Sequence, residues 1–159
     1  MINLQPAWQR GPPQERHKAS IEWDLEQVFV SRSTQLNAYR GREIVTAGVT
    51  CKHVFLLKSG LACRQRPLRD GRQAILDLYV PGDFIELDSL FFAPSLDTVL
   101  ALTNVGYWAL DHAALNGLMQ KPRVARQLMR HMAEEKQRLD TIAILLGHSQ
   151  AATTARYAQ

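Results

Sequence analysis

The chain has 159 residues, of which 46% are hydrophobic, and this suits one domain with a buried core plus an appendage. Its net charge of +4 at pH 7 is typical of a solvated surface, with nucleic acid as the alternative partner of a mildly basic chain. The N-terminus lacks the apolar core of a signal peptide, and no apolar run approaches the roughly 18 residues of a membrane span. We therefore expect a cytoplasmic protein with no membrane partner.

The cysteines indicate that this chain holds no metal or cluster. There are only two, Cys51 and Cys63, and they do not form the Cys-x-x-Cys pairs typical of zinc and iron–sulfur sites. Both fall in predicted strands, where free buried thiols fit a reducing cytoplasm. The sequence therefore predicts no cofactor.

The N-terminal part precedes the folded domain. Residues 1–19 are polar and contain Gly11-Pro-Pro13, which predicts a flexible arm. Ser20 is a candidate N-cap for a short helix that carries Leu25 and Val28.

Between residues 36 and 110, short apolar or alternating runs are separated by turn residues. Asp70-Gly71 predicts a hairpin turn, because Gly accepts the positive φ that tight turns require, and Gly60 and Pro81-Gly82 mark further turns. Short strands at this spacing favour a sandwich or barrel of antiparallel strands. The predicted strands are 43–46, 53–58, 61–67, 73–80, 97–103 and 105–110.

Two helices are predicted after the strands. Asp111 is a candidate N-cap for a short helix. Pro122 fits the first turn of a longer helix, where its missing N–H costs little, and Gly147 is the predicted C-terminal stop after Leu146.

The apolar residues of the longer helix recur at steps that average about 3.5, the period of a coiled-coil seam. This predicts pairing with a second copy, against the alternative of a helix that packs only on its own barrel. Glu135 interrupts the seam, unless the helices splay there or Lys136 or Arg138 pairs with it. The predicted dimerisation residues are Val124, Leu128, Met132, Glu135, Leu139, Ile142 and Leu146.

Several motifs follow in a fixed order, namely Leu57-Lys-Ser-Gly60, Arg69-Asp-Gly-Arg-Gln-Ala-Ile75, Tyr79-Val-Pro-Gly-Asp-Phe-Ile85 and the long helix after Pro122. Together they resemble the sensor region of Crp/Fnr-type bacterial transcription regulators, most closely the Fnr-type branch. The resemblance implies a fold that is mainly β with α, a jelly-roll β-barrel of the cyclic-nucleotide-binding type followed by a long C-terminal dimerisation helix. The predicted segments are a flexible arm at 1–19, the jelly-roll sensor domain at 20–120, the dimerisation helix at 121–147 and a tail at 148–159.

The resemblance also implies the place of an effector pocket. Cyclic-nucleotide readers of this fold use a Gly-Glu pair and an Arg followed by Ser or Thr to hold the ribose and the cyclic phosphate. Here Glu86 stands near the expected Gly and Asp97 where the Arg would stand, so two carboxylates would repel a phosphate. We therefore expect an unknown small-molecule effector that is not a cyclic nucleotide. The candidate pocket residues are Phe84, Ile85, Glu86, Leu87, Asp88, Asp97 and Thr98.

Two metal-dependent sites are alternatives to this pocket. Haem could use His53, His112 or His131, although a lone histidine is far more often a surface or core residue. A cupin-type metal enzyme shares the jelly roll but needs several converging histidines, and no His-x-His pair occurs.

The tail, residues 146–158, resembles the C-terminal motif of tyrosine recombinases. The resemblance implies that His148 would assist proton transfer and Tyr157 would attack a DNA phosphodiester. The sequence lacks the arginine-rich cage that this chemistry needs, so we expect no enzyme. The tail is then a recombinase-like scar or, alternatively, a divergent start of the regulator's DNA-binding segment.

These features predict an effector-sensing and dimerisation module of a Crp/Fnr-type regulator without its own helix-turn-helix. A homodimer is expected, or a heterodimer with a full-length regulator whose two-fold DNA site it would spoil. An inactive gene remnant is one alternative. The other is a DNA-binding regulator whose contacts come from the tail and a basic cluster. Arg123, Arg126 and Arg130 lie together, but Lys136 and Arg138 do not share their face, so we expect DNA binding to be weak or absent. The cluster consists of Lys121, Arg123, Arg126 and Arg130.

Overall fold

Two four-stranded antiparallel sheets form the centre of the protein in a computed structural model that describes residues 25–145, with side chains described to residue 139. The strands are β1 (Thr34–Ala38), β2 (Glu43–Val45), β3 (His53–Ser59), β4 (Ala62–Pro67), β5 (Gln73–Tyr79), β6 (Phe84–Ile85), β7 (Thr98–Ala101) and β8 (Val105–Asp111). Sheet 1 has the order β1-β8-β3-β6, and sheet 2 has the order β2-β7-β4-β5. The predicted jelly roll is confirmed, as two sheets rather than one closed barrel.

The helices pack beside sheet 1. They are α1 (residues 25–32), α2 (His112–Met119) and α3 (Pro122–Leu145), and a short 3-10 helix covers Leu87–Leu90. The Ala114 backbone N–H donates to Asp111 Oδ1 over 2.7 Å, so the predicted N-cap is confirmed. The start of α3 at Pro122 is also confirmed. The predicted arm, the Ser20 cap, the stop at Gly147 and the recombinase-like tail lie outside the described residues.

Strand β3 explains how two cores form on either side of sheet 1. Its central residues are all buried, and successive side chains of a strand point to opposite faces. Val54 and Leu56 enter the core shared with the three α-helices, while Phe55 and Leu57 enter the core shared with sheet 2. The continuous apolar run in the sequence therefore marks a strand covered on both faces.

Turn chemistry sets the strand boundaries. Gly71 has a φ of +83° in the β4–β5 hairpin, where the Leu68 N–H donates to the Arg72 carbonyl oxygen over 2.7 Å. Gly60 has a φ of +84°, and a Cβ there would collide with the Asn104 carbonyl oxygen. Two strands are absent from the strands predicted from the sequence, β1 and β6. Strand β6 has only two residues and therefore no recognisable alternation. None of the described helices has a stretch long and apolar enough to cross a membrane.

Candidate functional site

Three of the predicted pocket residues line a cavity of about 290 Å³ beside sheet 2. They are Glu86 and Asp88, which precede the loop 91–97, and Asp97, which is the last residue of that loop. The cavity also takes side chains from β4, β5 and α3. The lining residues that the sequence did not predict for the pocket are Arg64, Arg66, Leu76, Asp77, Ser89, Phe92, Pro94, Ser95, Leu96, Glu135 and Leu139.

The other four predicted pocket residues do not line this cavity. Strand β6 pairs with β3, so Phe84 is buried in the helix-side core and Ile85 is buried between the sheets. Leu87, at the start of the 3-10 helix, is also buried in the helix-side core. Thr98 begins β7, where its Oγ1 accepts a hydrogen bond from the Ala47 N–H over 3.3 Å. These residues position the segments that carry the carboxylates.

Glu86 occupies a backbone conformation that favours glycine. Its φ is 66° and its ψ is 32°, in the left-handed region, which costs a residue with a Cβ roughly 1–2 kcal/mol. Its carboxylate is buried, accepts a hydrogen bond from Ser95 Oγ over 2.7 Å and lies 3.3 Å from Arg64 Nη2. Burial raises the pKa of Glu86, and the contacts with Ser95 and Arg64 oppose that rise.

Asp97 is held by a fork of hydrogen bonds from Arg66. The Nε of Arg66 lies 2.5 Å from Oδ1 of Asp97, and Nη2 lies 3.0 Å from Oδ2. Because the Asp97 carboxylate is buried, this two-pronged geometry is a strong form of ion pair. The pair joins neighbouring strands, since β4 lies beside β7 with Gln65 opposite Thr98.

Arg64 lies beside the same carboxylates. Its Nε donates to the Tyr79 hydroxyl over 2.8 Å, and its Nη1 lies 3.5 Å from Asp88 and 3.9 Å from Asp97. The repulsive carboxylates expected from the sequence are therefore each paired with an arginine of β4. The alternation of Arg64 and Arg66 on a strand was the signal for this, because residues two apart share one face of a sheet.

Helix α3 borders the cavity and is linked to sheet 2. Glu135 and Leu139 line the cavity. Arg138 Nη2 lies 2.9 Å from Asp77 Oδ2, and its Nη1 lies 3.3 Å from Asp83 Oδ2. Burial raises the pKa of Glu135. One helix therefore contributes both to the wall of the cavity and to an ion-pair network with the sheet.

The structure places part of the predicted dimerisation seam in the chain's own core. Val124 and Leu128 are only 5% and 3% exposed, in a core shared with α1 and α2, and Met132 packs against the same core. The dimerisation seam itself stays a prediction. Glu135 and Leu139 border the cavity, and the side chains of Ile142 and Leu146 lie outside the described residues.

The three histidines considered for haem make contacts within the fold. The Nε2 of His112 lies 2.9 Å from Ser89 Oγ, while the rings of His53 and His131 contact the rings of Phe55 and Phe84. Within the described range, no three His, Cys, Asp or Glu side chains are arranged to hold a metal ion.

The comparison with family models identifies the class of domain. The model of the cyclic nucleotide-binding domain matches residues 35–122, which is more than half of the chain. The chain therefore belongs to the cyclic nucleotide-binding domain family. A comparison with curated protein sequences gives no significant match.

Solved structures of transcription regulators share the fold. The Catabolite Activator Protein of Thermus thermophilus aligns with a TM-score of 0.66 and 21% identity, over 78% of this chain and 59% of that chain. The N-terminal domain of a transcriptional regulator from Streptomyces coelicolor aligns with a TM-score of 0.60 and 26% identity, over 75% of this chain and 85% of that chain. The sensor domain of the transcriptional regulator DNR from Pseudomonas aeruginosa aligns with a TM-score of 0.61 and 17% identity, over 80% of this chain and 91% of that chain. This chain thus spans somewhat more than half the length of the Thermus protein.

Proposed function

We propose that the chain is the effector-sensing and dimerisation module of a Crp/Fnr-type transcription regulator, and that it is not an enzyme. The observation that carries this proposal is the shared cavity, which is lined by β4 and β5 on one side and by α3 on the other. A ligand in this cavity would contact Glu135 and Leu139, so it would favour one position of α3 over another. A homodimer would transmit that preference, as would a heterodimer with a full-length regulator.

The effector is not a cyclic nucleotide. A cyclic phosphate needs donors that are free to bind it, but the guanidinium groups of Arg64 and Arg66 are already engaged by the carboxylates of Glu86 and Asp97. A phosphate would have to displace these buried carboxylates and leave them without partners, at a cost of several kcal/mol.

We expect calorimetric titration of the full chain with cyclic AMP or cyclic GMP to show no binding. A double variant, Glu86→Gly with Asp97→Ser, removes the two buried carboxylates from Arg64 and Arg66 and also places glycine at the left-handed position. This variant is expected to gain affinity for both nucleotides if it remains folded, which circular dichroism checks. A dissociation constant near 1 μM for the unmodified chain, about −8 kcal/mol, would contradict the proposal.

Dimerisation is proposed through the apolar side chains that α3 leaves exposed. Met129 is 63% exposed, and Leu139 lies further along the helix at the edge of the cavity. Ile142 and Leu146 continue the predicted seam. Because Val124 and Leu128 are internal, charge introduced at Leu128 would unfold the monomer rather than separate two copies.

We therefore expect Met129→Lys to give monomers where the unmodified chain sediments as a dimer at tens of micromolar, a range suited to weak association. The lysine would place a charge in the contact between the helices. Met129→Leu keeps an apolar side chain and should remain dimeric. An unmodified chain that is monomeric at this concentration would refute the proposed dimer.

A second candidate function, DNA binding, is favoured by one surface. Arg123, Arg126 and Arg130 line a groove of about 540 Å³ at the start of α3, and Lys121 directly precedes that helix. These residues would contact phosphates, which position a protein on DNA but carry no sequence information. We propose this activity only as weak, sequence-independent binding.

Fluorescence anisotropy with two unrelated duplexes should give equal dissociation constants of roughly 10⁻⁴ to 10⁻⁶ M that weaken steeply with salt. Combining Arg126→Gln with Arg130→Gln should weaken binding to both duplexes. Combining Arg40→Gln with Arg42→Gln provides the control, because it removes the same charge from exposed positions in the β1–β2 turn, and it should weaken binding less. Preference for one duplex that persists at high salt would make specific DNA recognition the better account.

A further inference from the structure

The cavity contains more carboxylates than cations. Its lining includes two arginines and five carboxylates. Arg64 and Arg66 are engaged by Glu86, Asp88 and Asp97, as described above. A lining with this composition presents a net negative field to any molecule that enters it.

The two carboxylates contributed by β5 and α3 differ in their partners. Asp77 is paired with Arg138 over 2.9 Å. Glu135 forms no ion pair with another residue of the described part of the chain, although it is only partly exposed. Arg64 and Arg138 attract the Glu135 carboxylate without forming an ion pair with it, and they do not cancel the effect of its burial. A positive charge placed directly beside Glu135 would offset the cost of that burial.

The rim of the cavity is apolar. Phe92 and Leu96, on the loop before β7, are 72% and 75% exposed, and Leu76 and Leu139 complete the apolar lining on the β5 and α3 sides. Large apolar side chains exposed beside a cavity commonly mark a ligand-binding surface. The cavity thus combines an acidic wall with an apolar rim, and a ligand that matches it carries a cation and a hydrocarbon part.

We propose that the effector is an amphipathic cation, a protonated amine whose ammonium group pairs with Glu135 and whose apolar part covers Phe92, Leu96 and Leu139. This inference rests on the proposed effector-sensing function and names the ligand class of that same cavity. Asp88, which has a half-exposed carboxylate held only at 3.5 Å by Arg64, provides a second oxygen partner. The ammonium would bind directly to α3, the helix that the proposed function requires to respond.

Three probes with the same alkyl chain test this class: hexylamine, hexan-1-ol and hexanoate. At neutral pH they are a cation, a neutral molecule and an anion. Calorimetric titration of the full chain should show saturable binding of hexylamine, at least about tenfold tighter than hexan-1-ol, which corresponds to about 1.4 kcal/mol. Hexanoate should not bind measurably, because it would face the unpaired Glu135.

Two matched variants locate the cation. Glu135→Gln should weaken hexylamine binding by about tenfold and leave hexan-1-ol binding unchanged. Glu134→Gln removes the same charge from the neighbouring residue, which does not line the cavity. Glu134 lines an adjacent recess with Asp83 and His131 that Glu135 also borders, and its substitution should change hexylamine binding less than about twofold.

The outcomes separate this inference from the proposed function. Hexanoate binding as tightly as hexylamine would overturn the ligand class and leave the effector pocket intact. An equal loss in both glutamine variants would also overturn it, because the attraction would then be the diffuse charge of the helix. If none of the three probes binds, the amphipathic-cation class is overturned, because hexylamine carries both of its features, and the proposed sensing function is left standing.

Discussion

Replacing Arg66 with methionine is expected to lower the free energy of unfolding by about 3 kcal/mol, because it leaves the Asp97 carboxylate buried without its two-pronged partner. The side chain of Asp97 is 7% exposed, whereas that of Arg66 is 28% exposed. Arg64, 3.9 Å away, compensates only in part. The reverse change, Asp97→Leu, should cost less, about 1 kcal/mol, since the arginine can turn into solvent.

The same substitution at an exposed pair provides the control. Arg72 Nη2 lies 2.7 Å from Asp70 Oδ2, but the two side chains are 78% and 49% exposed. Arg72→Met should therefore change stability by less than about 1 kcal/mol, since water screens such pairs. Urea denaturation of the three variants makes the comparison. Similar losses for Arg66→Met and Arg72→Met would show that burial does not set the strength of the Arg66–Asp97 pair.

Local chemistry explains why the fold was predictable from the sequence. The Asp111 cap and the Pro122 start depend on residues within one helical turn, and the hairpin at Asp70-Gly71 depends on a single positive φ. The predicted strands were correct because turn residues bounded each of them. The two-residue β6 was missed because it exists through pairing with Phe55 and Leu56 of β3, which no short window of sequence contains.

The site was only half predictable, because its charge pairs depend on strand register. Glu86 and Asp97 could be located from the family resemblance. Their partners Arg64 and Arg66 lie on another strand, and the antiparallel register of β4 with β7 brings Arg66 to Asp97. From the sequence alone the carboxylates looked unpaired.

The apolar stripe of α3 could not be assigned from the sequence for a different reason. An apolar stripe at a helical period indicates that one face of the helix is buried, but it does not indicate which element buries it. In the N-terminal half of α3, Val124 and Leu128 are buried in a core that also contains residues of α1 and α2 of the same chain. Such an assignment needs the packing of distant elements, which the periodicity of one helix cannot supply.

A second large loss of stability is expected when Arg138, which links α3 to sheet 2, is replaced. Arg138→Met removes the partner of the buried Asp77, and it also removes the contact with Asp83 in the turn before β6. We expect a loss of about 2 kcal/mol, below the roughly 3–5 kcal/mol of a fully buried pair because Arg138 is partly exposed and Asp77 retains a hydrogen bond from the Leu78 N–H.

Hydrogen exchange distinguishes this link from a general effect on the helix. In Arg138→Met, amides of α3 near Glu135 and amides of β5 should exchange faster, because the two elements lose their shared ion pairs. Lys136→Met removes a positive charge from an exposed position of the same helix. It should change the free energy of unfolding by less than about 0.5 kcal/mol and leave the exchange rates of these amides unchanged. If both variants accelerate exchange equally, the cause is the charge or propensity of α3. If only Arg138→Met accelerates exchange, the ion pairs between α3 and sheet 2 hold the helix in place beside the cavity. An effector that moves α3 must then loosen or tighten these ion pairs.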